Sequence, residues 1–243
     1  MIDHATIRAD DLPSSRDFYR LALERLEFAG DVSDGGDFIE WNDFSLAGAT
    51  ADRPATRRLH VGFAARSRQQ VDEWWQTLTE AGHGSAGSPG PRPEYGSAYY
   101  GGFVRDPTGN SVEAVHNGPP PEDGRVLDHL WLRVRSLGDS RRFYETFASI
   151  VGYEVRPLAD RVQIRTSGAS FSVVEGDPTA NVHLAFAAAD GATVDAFHRA
   201  GVAAGYASLG EPGERPEYHA GYYGAYLADP DGNNVEAVFH DRD

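Results

Sequence analysis

The sequence contains no cysteine and a single methionine among its 243 residues. It can therefore form no disulfide, no thiolate metal ligand and no cysteine nucleophile, so any metal has to be held by histidine, carboxylates and water. Positive charge is also scarce, because 22 Lys and Arg stand against 37 Asp and Glu, which gives a formal net charge of −15. A surface of this charge repels phosphate backbones and anionic membranes, so we expect neither nucleic acid nor a membrane as partner.

Long hydrophobic runs are absent too. Nowhere do about 18 apolar residues follow one another, the length that a membrane-spanning helix needs. The N-terminus enters a strand-like run from Ile2 to Ala9 without a basic segment and apolar core before it. We therefore expect a soluble, cytoplasmic protein, with a homodimer as the default oligomeric state.

What the chain does contain is a long internal repeat. Residues 99–115 return with small changes as residues 222–238. Three residues able to bind a divalent metal recur in the same order, at offsets of 123 to 125 residues. They are His4, His60 and Glu113 in the first half and His129, His183 and Glu236 in the second. The repeat predicts two domains and directs the search for function to these six positions.

The boundary between the repeats is rich in proline. Residues 119–125 hold three consecutive prolines, which remove backbone donors and favour an extended linker. We predict an N-terminal domain at 1–118, this linker, and a C-terminal domain at 126–243. Within each half, a strand, an amphipathic helix and three further strands follow one another twice, which predicts an α+β fold of four βαβββ modules.

The hydrophobic pattern places the helices and turns. Helices are predicted at 12–28, 67–81, 140–151 and 190–200, the first with Ser14 or Ser15 as N-cap and the second and fourth closed by Gly82 and Gly201. The sequences Asp-Pro-Thr-Gly at 106–109 and Asp-Pro-Asp-Gly at 229–232 predict turns between the last two strands of each half.

Strand alternation indicates which face the histidines share. In the run 129–134, His129, Trp131 and Arg133 lie on one face, and the intervening Leu and Val side chains lie on the other. Glu113 and Glu236 stand within strands between Val and Ala, where an ionised carboxylate is costly unless it is paired or bound to a metal. These strands therefore predict ligands that face a polar concavity.

Two neutral imidazoles and one carboxylate on neighbouring strands can hold a divalent ion on one face and leave the opposite positions open. With this set the chain resembles the vicinal oxygen chelate superfamily, the group of glyoxalases, bleomycin resistance proteins and type I extradiol dioxygenases. The likeness rests on Asp3-His4 and Asp128-His129, Ser15 to Tyr19 and Ser140 to Tyr144, His60 to Phe63 and His183 to Phe186, and the Asp-Pro-x-Gly-Asn to Val-Glu-Ala-Val endings.

The resemblance implies two tandem cup-shaped half-barrel domains, each with a divalent metal: Fe, Mn, Zn or Ni. It assigns the first-strand ligand to His4 and His129, the fifth-strand ligand to His60 and His183, and the eighth-strand ligand to Glu113 and Glu236. Because each half holds a complete His-His-Glu set, we expect each metal centre to form within its own half.

Other residues around the ligands distinguish the halves. Ten positions before the final Glu, where extradiol enzymes tend to carry a tyrosine, the second half has Tyr226 and the first has Phe103. The second half also has His219, where the first has Gly96. Tyr226 and His219 are therefore the candidate catalytic residues. The acid-base histidine that extradiol enzymes carry about 14 residues before the second metal histidine is absent, since residues 168–170 read Gly-Ala-Ser.

Further residues near the predicted cups have more than one interpretation. Arg92 and Arg215 repeat between the halves and either fix a substrate carboxylate or lie in solvated loops. In each pair Tyr99-Tyr100 and Tyr222-Tyr223, only one ring can face the cup, and the other is expected in the core. Four histidines without a repeated counterpart are expected at the surface: His83, His116, His198 and His240.

Two classes of function fit this set. The first is a metal-dependent enzyme, a dioxygenase or a lyase or isomerase, acting on a small molecule that chelates the ion through two adjacent oxygens. Its reactions include isomerisation of an α-oxo compound, epoxide opening, and oxygen insertion beside a diol. The alternative is a metal-free binding protein similar to bleomycin resistance proteins, which traps a small molecule without turnover.

Overall fold

The computed structural model describes residues 1–28, 32–118, 124–166 and 169–241. Within them the chain forms four helices and 16 strands, an α+β fold. The helices are α1 (Leu12–Arg25), α2 (Arg68–Glu80), α3 (Leu137–Val151) and α4 (Gly191–Ala203). The strands are β1 (Ile2–Ala9), β2 (Val32–Asp34), β3 (Phe38–Trp41), β4 (Phe44–Gly48), β5 (His60–Ala64), β6 (Ser85–Pro91), β7 (Tyr100–Arg105), β8 (Ser111–His116), β9 (Leu127–Val134), β10 (Glu154–Pro157), β11 (Arg161–Arg165), β12 (Ser170–Glu175), β13 (His183–Ala187), β14 (Ser208–Glu214), β15 (Tyr222–Ala228) and β16 (Asn234–His240).

The elements follow one another as strand, helix and three strands, four times along the chain. This order confirms the four predicted βαβββ modules. The strands form two eight-stranded sheets, ordered β14-β15-β16-β13-β1-β4-β3-β2 and β10-β11-β12-β9-β5-β8-β7-β6. Each sheet therefore joins a module of the first half to a module of the second half: the first with the fourth, and the second with the third.

The chain divides into two compact units. The N-terminal unit is Thr6–Trp131, and the C-terminal unit comprises Met1–Ala5 and Leu132–Asp243. Residues 119–123 of the predicted linker lie outside the described residues. The domain boundaries at 1–118 and 126–243 therefore stay a prediction.

Aromatic side chains dominate the core of the N-terminal unit. The ring of Phe44 lies 5.1 Å from that of Tyr19 on α1 and 5.0 Å from that of Phe63 on β5. Trp74 on α2 is fully buried, and its indole N–H donates to the backbone carbonyl of Ala22, which fixes α2 against α1. Burying an aromatic ring of this size contributes on the order of 2–3 kcal/mol, so these rings hold helices and sheet together.

The C-terminal unit repeats this packing with other residues. Phe147 on α3 contacts Phe197 on α4, with ring centroids 4.5 Å apart. The ring of Tyr144 lies 5.0 Å from that of Phe171 on β12. The helices thus cover the apolar face of the sheets and leave the opposite face for polar side chains, as the strand alternation predicts.

Helix α1 begins at Leu12, as predicted, but its N-cap is not the predicted residue. Asp11 is its N-cap, because its carboxylate accepts a hydrogen bond from the backbone N–H of Ser14, 3.1 Å away. The predicted cap at Ser14 or Ser15 is therefore wrong, and Ser15 is buried within the first turn. Pro13 is compatible with this cap, since proline suits the first helical turn, where no partner for its missing N–H is needed.

Helix α4 continues past the glycine that was expected to close it. It runs through Gly201 and ends at Ala203. A β-carbon at position 201 would lie only 2.2 Å from Cδ1 of Leu227 on β15. Glycine stands there because the helix and the strand approach closely. Gly201 therefore serves the packing of α4 against β15 and does not end the helix.

The repeated turn sequence fixes the strands that carry the ligands. The Asn110 amide accepts a hydrogen bond from Leu59 N–H (3.1 Å) and donates to the carbonyl of Thr56 (3.0 Å), and Asp106 accepts from the Asn110 N–H (2.7 Å). Gly109 adopts φ of 91°, as the predicted turn requires. The turn thereby holds β8 beside the beginning of β5, and Asn233 makes the equivalent bonds in the second half.

Among the described residues, no helix combines the length and the apolar character needed to cross a bilayer.

A buried carboxylate in the N-terminal unit gives the protein a stability that depends on pH. Asp43, in the turn before β4, accepts hydrogen bonds from the backbone N–H groups of Val126 (2.9 Å) and Leu127 (3.2 Å), but its second oxygen has no partner among the described residues. Burial raises the pKa of Asp43 from 3.8 to about 6, against the smaller opposite effect of these two bonds. The folded state therefore holds this proton more tightly than the unfolded chain does.

Because of that difference, the contribution of Asp43 to stability falls as pH rises from about 4 to about 6, by about 3 kcal/mol in total. Asp43→Asn keeps the acceptor oxygen and cannot ionise. Between about pH 4.5 and about pH 7.5, its free energy of unfolding relative to wild type should rise by about 2 kcal/mol, measured by urea unfolding. Asp37→Asn, at an exposed position, is the control. Parallel pH profiles for wild type and Asp43→Asn would contradict this assignment.

Candidate metal centres

The six predicted ligands lie in two groups, and each group combines three strands. We call the group His4, His183 and Glu236 centre A, and the group His60, Glu113 and His129 centre B. Centre A lies within the C-terminal unit and centre B within the N-terminal unit. The strands β1, β13 and β16 supply the ligands of centre A, and β5, β8 and β9 supply those of centre B.

The expectation that each centre forms within its own half is wrong. The first-strand histidine is exchanged: His4 joins the ligands of the second half, and His129 joins those of the first. The physical reason is strand pairing. Strand β9 pairs with β5, which places His129 opposite Gly62, and Gly62 in turn is level with Glu113 on β8. The side chain of His60, two residues before Gly62, emerges on the same face of the sheet.

In centre A the ligand atoms converge. The Nε2 atoms of His4 and His183 are 3.1 Å apart. Oε2 of Glu236 lies 3.0 Å from Nε2 of His183 and 3.8 Å from Nε2 of His4. This oxygen is buried and makes no hydrogen bond of acceptable geometry to any described residue.

Centre B has almost the same geometry. The Nε2 atoms of His60 and His129 are again 3.1 Å apart. Oε2 of Glu113 lies 3.1 Å from Nε2 of His60 and 3.4 Å from Nε2 of His129. The side chain of Glu113 is almost completely buried, so its carboxylate is set among the two rings and away from solvent.

This spacing fits a divalent cation. Three ligand atoms that bind one ion at about 2.1 Å, at angles between a right angle and the tetrahedral angle, lie about 3.0 to 3.4 Å from one another. Five of the six ligand–ligand distances in the two centres fall close to this range, the exception being the 3.8 Å between His4 and Glu236. The donors are imidazole nitrogen and carboxylate oxygen, the set that suits Fe, Mn, Zn or Ni.

In the metal-free state the ligands of centre B are strongly coupled. Burial alone would raise the pKa of Glu113, but hydrogen bonds with His129 and His60 outweigh it and bring the pKa down to about 2. Burial alone would lower the pKa of His129, but hydrogen bonds with Asp128 and Glu113 raise that pKa to about 10. Burial lowers the pKa of His60. The centre therefore keeps a carboxylate beside a protonated imidazole, and a cation can take the place of that proton.

An aspartate orients the first-strand histidine in both centres. Nδ1 of His4 lies 2.8 Å from the carboxylate of Asp3, and Nδ1 of His129 lies 2.7 Å from that of Asp128. A carboxylate only accepts, so each ring carries a proton on Nδ1 and directs Nε2 into the centre, where Nε2 offers its lone pair to a cation once it has lost its own proton. Both aspartates belong to the Asp-His motif that opens each half, but the sequence alone indicates no role for them.

A tyrosine orients the glutamate in both centres. The hydroxyl of Tyr222 donates to Oε1 of Glu236 (2.8 Å), and that of Tyr99 donates to Oε1 of Glu113 (2.9 Å). The other oxygen, Oε2, is the one that faces the histidines. Burial and the nearby glutamate raise the pKa of Tyr99 and of Tyr222 well above the ordinary value, so both remain proton donors.

The second tyrosine of each pair faces the other way. Tyr100 donates to Asp72 on α2, and Tyr223 donates to Asp195 on α4, with distances of 2.7 and 2.9 Å. Neither ring is buried, so the expectation that they lie in the core is wrong. Their hydroxyl groups instead tie strand to helix at the protein surface.

Glycine makes room for His129 in centre B. A β-carbon at position 62 would lie 2.3 Å from Cε1 of the His129 ring, whereas the equivalent residue beside centre A is Ala185, which is fully buried. Gly62→Ala should therefore displace His129 and weaken metal binding at centre B about tenfold or more, the scale found when the support of a ligand is disturbed. Metal titration of the variant would measure the loss.

The control for this prediction is Ala185→Gly, which adds space instead of removing it and should leave ligand positions unchanged. Centre A should keep its affinity in both variants. Unchanged affinity of centre B in Gly62→Ala would show that the His129 ring does not need the position that it occupies here.

The two centres differ most at one aromatic ring. Tyr226 lies beside His183, with ring centroids 6.2 Å apart, and Phe103 takes the same place beside His60, at 5.9 Å. The hydroxyl oxygen of Tyr226 is buried and has no hydrogen-bond partner among the described residues. Burial and the charge of Glu236 raise the pKa of Tyr226, so that it stays protonated. Only centre A thus has a buried hydroxyl that is ready to donate.

His219, the second catalytic candidate, does not touch the ligands of centre A in the structure. Its Nε2 lies 2.8 Å from Nδ1 of His240, and His240 contacts Asp3, at 3.1 Å. The expectation that His240 is an unremarkable surface residue is wrong, because it is partly buried and bonded on both sides. His198 is also buried, on α4, and bonds Ser208, which corrects its assignment to the surface.

The repeated arginines lie over the same two rings. The guanidinium of Arg92 stands 5.3 Å from the ring centre of Phe103, and that of Arg215 stands 5.4 Å from that of Tyr226. Each donates to two backbone carbonyls of its own loop; for Arg215 these belong to Glu214 and Glu211. The arginines are thus held in place rather than freely solvated, at positions where they add positive potential near the ligands.

Comparison with known proteins agrees with this geometry. Residues 1–114 match the family model described as Glyoxalase/Bleomycin resistance protein/Dioxygenase superfamily. No curated protein sequence matches the chain. The match confirms the predicted resemblance for residues 1–114, which carry a domain of the glyoxalase, bleomycin resistance protein and dioxygenase superfamily.

Among solved structures, the chain is similar in fold to glyoxalase I from Zea mays, with 19% identity, a TM-score of 0.69, and coverage of 98% of this chain and 92% of that one. A mutant of the same enzyme gives 20% identity and a TM-score of 0.70 at the same coverage. A Bacillus subtilis protein described as a candidate dioxygenase gives 14% identity and a TM-score of 0.66, with coverage of 99% and 85%. At these identities the likeness concerns the fold.

Proposed function

We propose that the protein is a divalent-metal enzyme that acts on a small molecule able to bind the ion through two adjacent oxygens. The observation that carries this proposal is the convergence of two nitrogens and one oxygen in each of two centres, in a family built around such sites. A metal held there supplies Lewis acidity and free positions for two substrate oxygens. All six residues, His4, His60, Glu113, His129, His183 and Glu236, are assigned as ligands.

Centre A is assigned as the catalytic one, because only centre A has Tyr226. The hydroxyl of Tyr226 is buried, keeps its proton, and makes no hydrogen bond of acceptable geometry to a described residue. A donor of this kind stabilises negative charge that develops on a substrate oxygen, or gives up its proton to it. At centre B, Phe103 can exclude water but cannot donate.

The arrangement favours proton-transfer chemistry on an α-oxo compound over ring cleavage. Ring-cleaving relatives need an additional acid-base histidine, which this sequence lacks near residue 169. Isomerisation or lyase chemistry needs a Lewis acid and a proton donor, and centre A offers ligands for the first and Tyr226 for the second. The full-length likeness in fold to glyoxalase I supports testing α-oxo aldehydes first. A cytoplasmic location and a homodimer remain part of the proposal.

The test begins with untagged protein loaded separately with Fe, Mn, Zn or Ni. Each form is assayed with an α-oxo aldehyde plus a thiol, an α-oxo acid, a catechol with oxygen, and an epoxide. Turnover of an α-oxo substrate that depends on the metal supports the proposal, and turnover of the catechol alone would replace it with ring cleavage. Binding without turnover and without stoichiometric metal would support the metal-free binding protein instead.

For the substrate that turns over, Tyr226→Phe should lower kcat about 10²-fold, the usual effect of removing one hydrogen-bond donor from a developing oxyanion. Metal content should stay unchanged, because Tyr226 is not a ligand. The matched control is Phe103→Tyr, which adds the same hydroxyl beside centre B and should leave the rate of centre A unaffected. Full activity in Tyr226→Phe would remove Tyr226 from the reaction.

A further inference from the structure

A line of hydrogen bonds continues outward from centre A. Asp3, which orients His4, also receives a bond from Nε2 of His240, at 3.1 and 3.2 Å to its two oxygens. Nδ1 of His240 lies 2.8 Å from Nε2 of His219, and Nδ1 of His219 lies 2.7 Å from the backbone carbonyl of Ala220. All of these residues belong to the C-terminal unit.

The acceptor fixes the direction of the hydrogen bonds that Asp3 makes with His4 and His240. A carboxylate has no proton to give, so Nε2 of His240 and Nδ1 of His4 both donate to Asp3. These two hydrogen bonds outweigh burial, which alone would raise the pKa of Asp3, and hold that pKa well below its usual range. Asp3 is thus an anion fixed from two sides.

His240 also supports the other side of centre A. Its ring meets the ring of Tyr222 edge-on, with centroids 5.1 Å apart, and Tyr222 holds the carboxylate of Glu236. On the opposite side it stacks with the ring of His219, at 5.0 Å and an interplanar angle of 21°. One imidazole therefore contacts both residues that orient ligands, Asp3 for His4 and Tyr222 for Glu236.

Centre B lacks this support. The residue equivalent to His240 is Asn117, and the one equivalent to His219 is Gly96. Asn117 and Gly96 are also neighbours, since the Asn117 amide oxygen lies 3.9 Å from a β-carbon built on Gly96. Asp128 has one partner among the described contacts, His129, and its side chain is 34% exposed, against 18% for Asp3. Centre B therefore serves as an internal control for the effect of His240 and His219 on centre A.

We propose that His240, backed by His219, is a positioning residue of centre A that makes centre A the tighter metal site of the two. This role of His240 rests on the proposed function, since it requires that centre A binds a metal. Fixing Asp3 fixes the ring and the tautomer of His4, so that less side-chain freedom is lost when the ion binds. Neither His240 nor His219 touches the ligand atoms, and both act through Asp3 and Tyr222.

The experiment isolates one centre at a time. In a Glu113→Gln background only centre A has a full ligand set, and in a Glu236→Gln background only centre B does. Zn²⁺ or Mn²⁺ alone is titrated in competition with a chromophoric chelator. Centre A should bind the ion more tightly than centre B. His240→Asn, which copies Asn117, should weaken centre A about tenfold, at the lower end of the effects found for outer partners of metal ligands.

Two further variants separate positioning from folding. His240→Gln keeps an N–H of similar reach and should restore most of the affinity, and Asn117→Ala in the centre B background should change nothing. Thermal unfolding of every variant without metal shows whether the fold is intact. A loss of affinity in His240→Asn together with recovery in His240→Gln supports the proposal.

Three results would overturn it. If the Glu113→Gln parent binds the ion and His240→Asn binds it equally well, His240 has no positioning role, while the metal centre itself stands. If the parent and wild type bind no metal, the proposed function fails and the role of His240 fails with it. An affinity of centre B equal to or above that of centre A would also contradict the assigned ranking.

Discussion

A variant with Glu236→Gln is expected to carry about one metal ion per chain where the wild type carries about two, and Glu113→Gln should lose the other ion. The amide oxygen of Gln is neutral and is a much weaker ligand than the carboxylate of Glu. The two side chains have nearly the same size, so the fold should remain intact. Elemental analysis of untagged protein, purified without chelator and then reconstituted with each of Fe, Mn, Zn and Ni, would measure the stoichiometry.

The double variant Glu113→Gln/Glu236→Gln should retain no stoichiometric ion. Its melting temperature should stay the same when the metal is added, because no complete ligand set remains, whereas that of the wild type should rise. Wild-type protein that stays free of metal after reconstitution would remove the basis for an enzyme and leave binding without turnover as the better account.

The second large effect tests how the ligands are grouped. His4→Ala combined with Glu236→Gln damages one centre twice and should keep about one ion. His4→Ala combined with Glu113→Gln damages both centres and should keep none. The grouping within each half, which the repeat alone suggests, predicts the opposite pattern.

His129→Ala provides the matched pair of variants. Combined with Glu113→Gln it should leave about one ion, and combined with Glu236→Gln it should leave none. The four double variants thus give two independent comparisons. Each comparison pairs one histidine substitution with the same two glutamate substitutions. If the stoichiometry follows the halves instead, the exchange of first strands is wrong.

The ligand positions could be predicted from the sequence because the rules that place them are local. Strand alternation put His129 and Trp131 on one face, and the repeat put Glu113 and Glu236 at equal places in equal strands. The strands His60–Ala64 and His183–Ala187 each begin at a predicted ligand. Periodicity is enough for these features, since it depends only on neighbouring residues.

The grouping of the ligands could not be predicted in this way. The offsets between the halves are the same whether β9 pairs with β5 of the first half or with β13 of its own half, because the sequence pattern of a strand does not reveal its partner. The choice is made by contacts between residues far apart in sequence, such as Gly62 with His129, which no local pattern shows.

The role of His240 could not be predicted from the sequence for a different reason. Its lack of a repeated counterpart suggests a surface residue, yet that lack is what distinguishes centre A from centre B. In a duplicated chain, a repeated residue points to a shared structural need, whereas an unrepeated residue beside a site points to what one copy does differently. The one usable signal was its place, four residues after Glu236 on the same strand.

The exchange of first strands has a consequence for a chain of half this length. A half-length chain with one set of ligands could complete a centre only by trading its first strand with a second copy, so its metal occupancy would fall on dilution. Fusing two copies makes that encounter intramolecular, at an effective concentration on the order of mM for a short connector. When both copies are parts of one chain, each centre can change alone, and this chain has Tyr226 beside one centre where it has Phe103 beside the other.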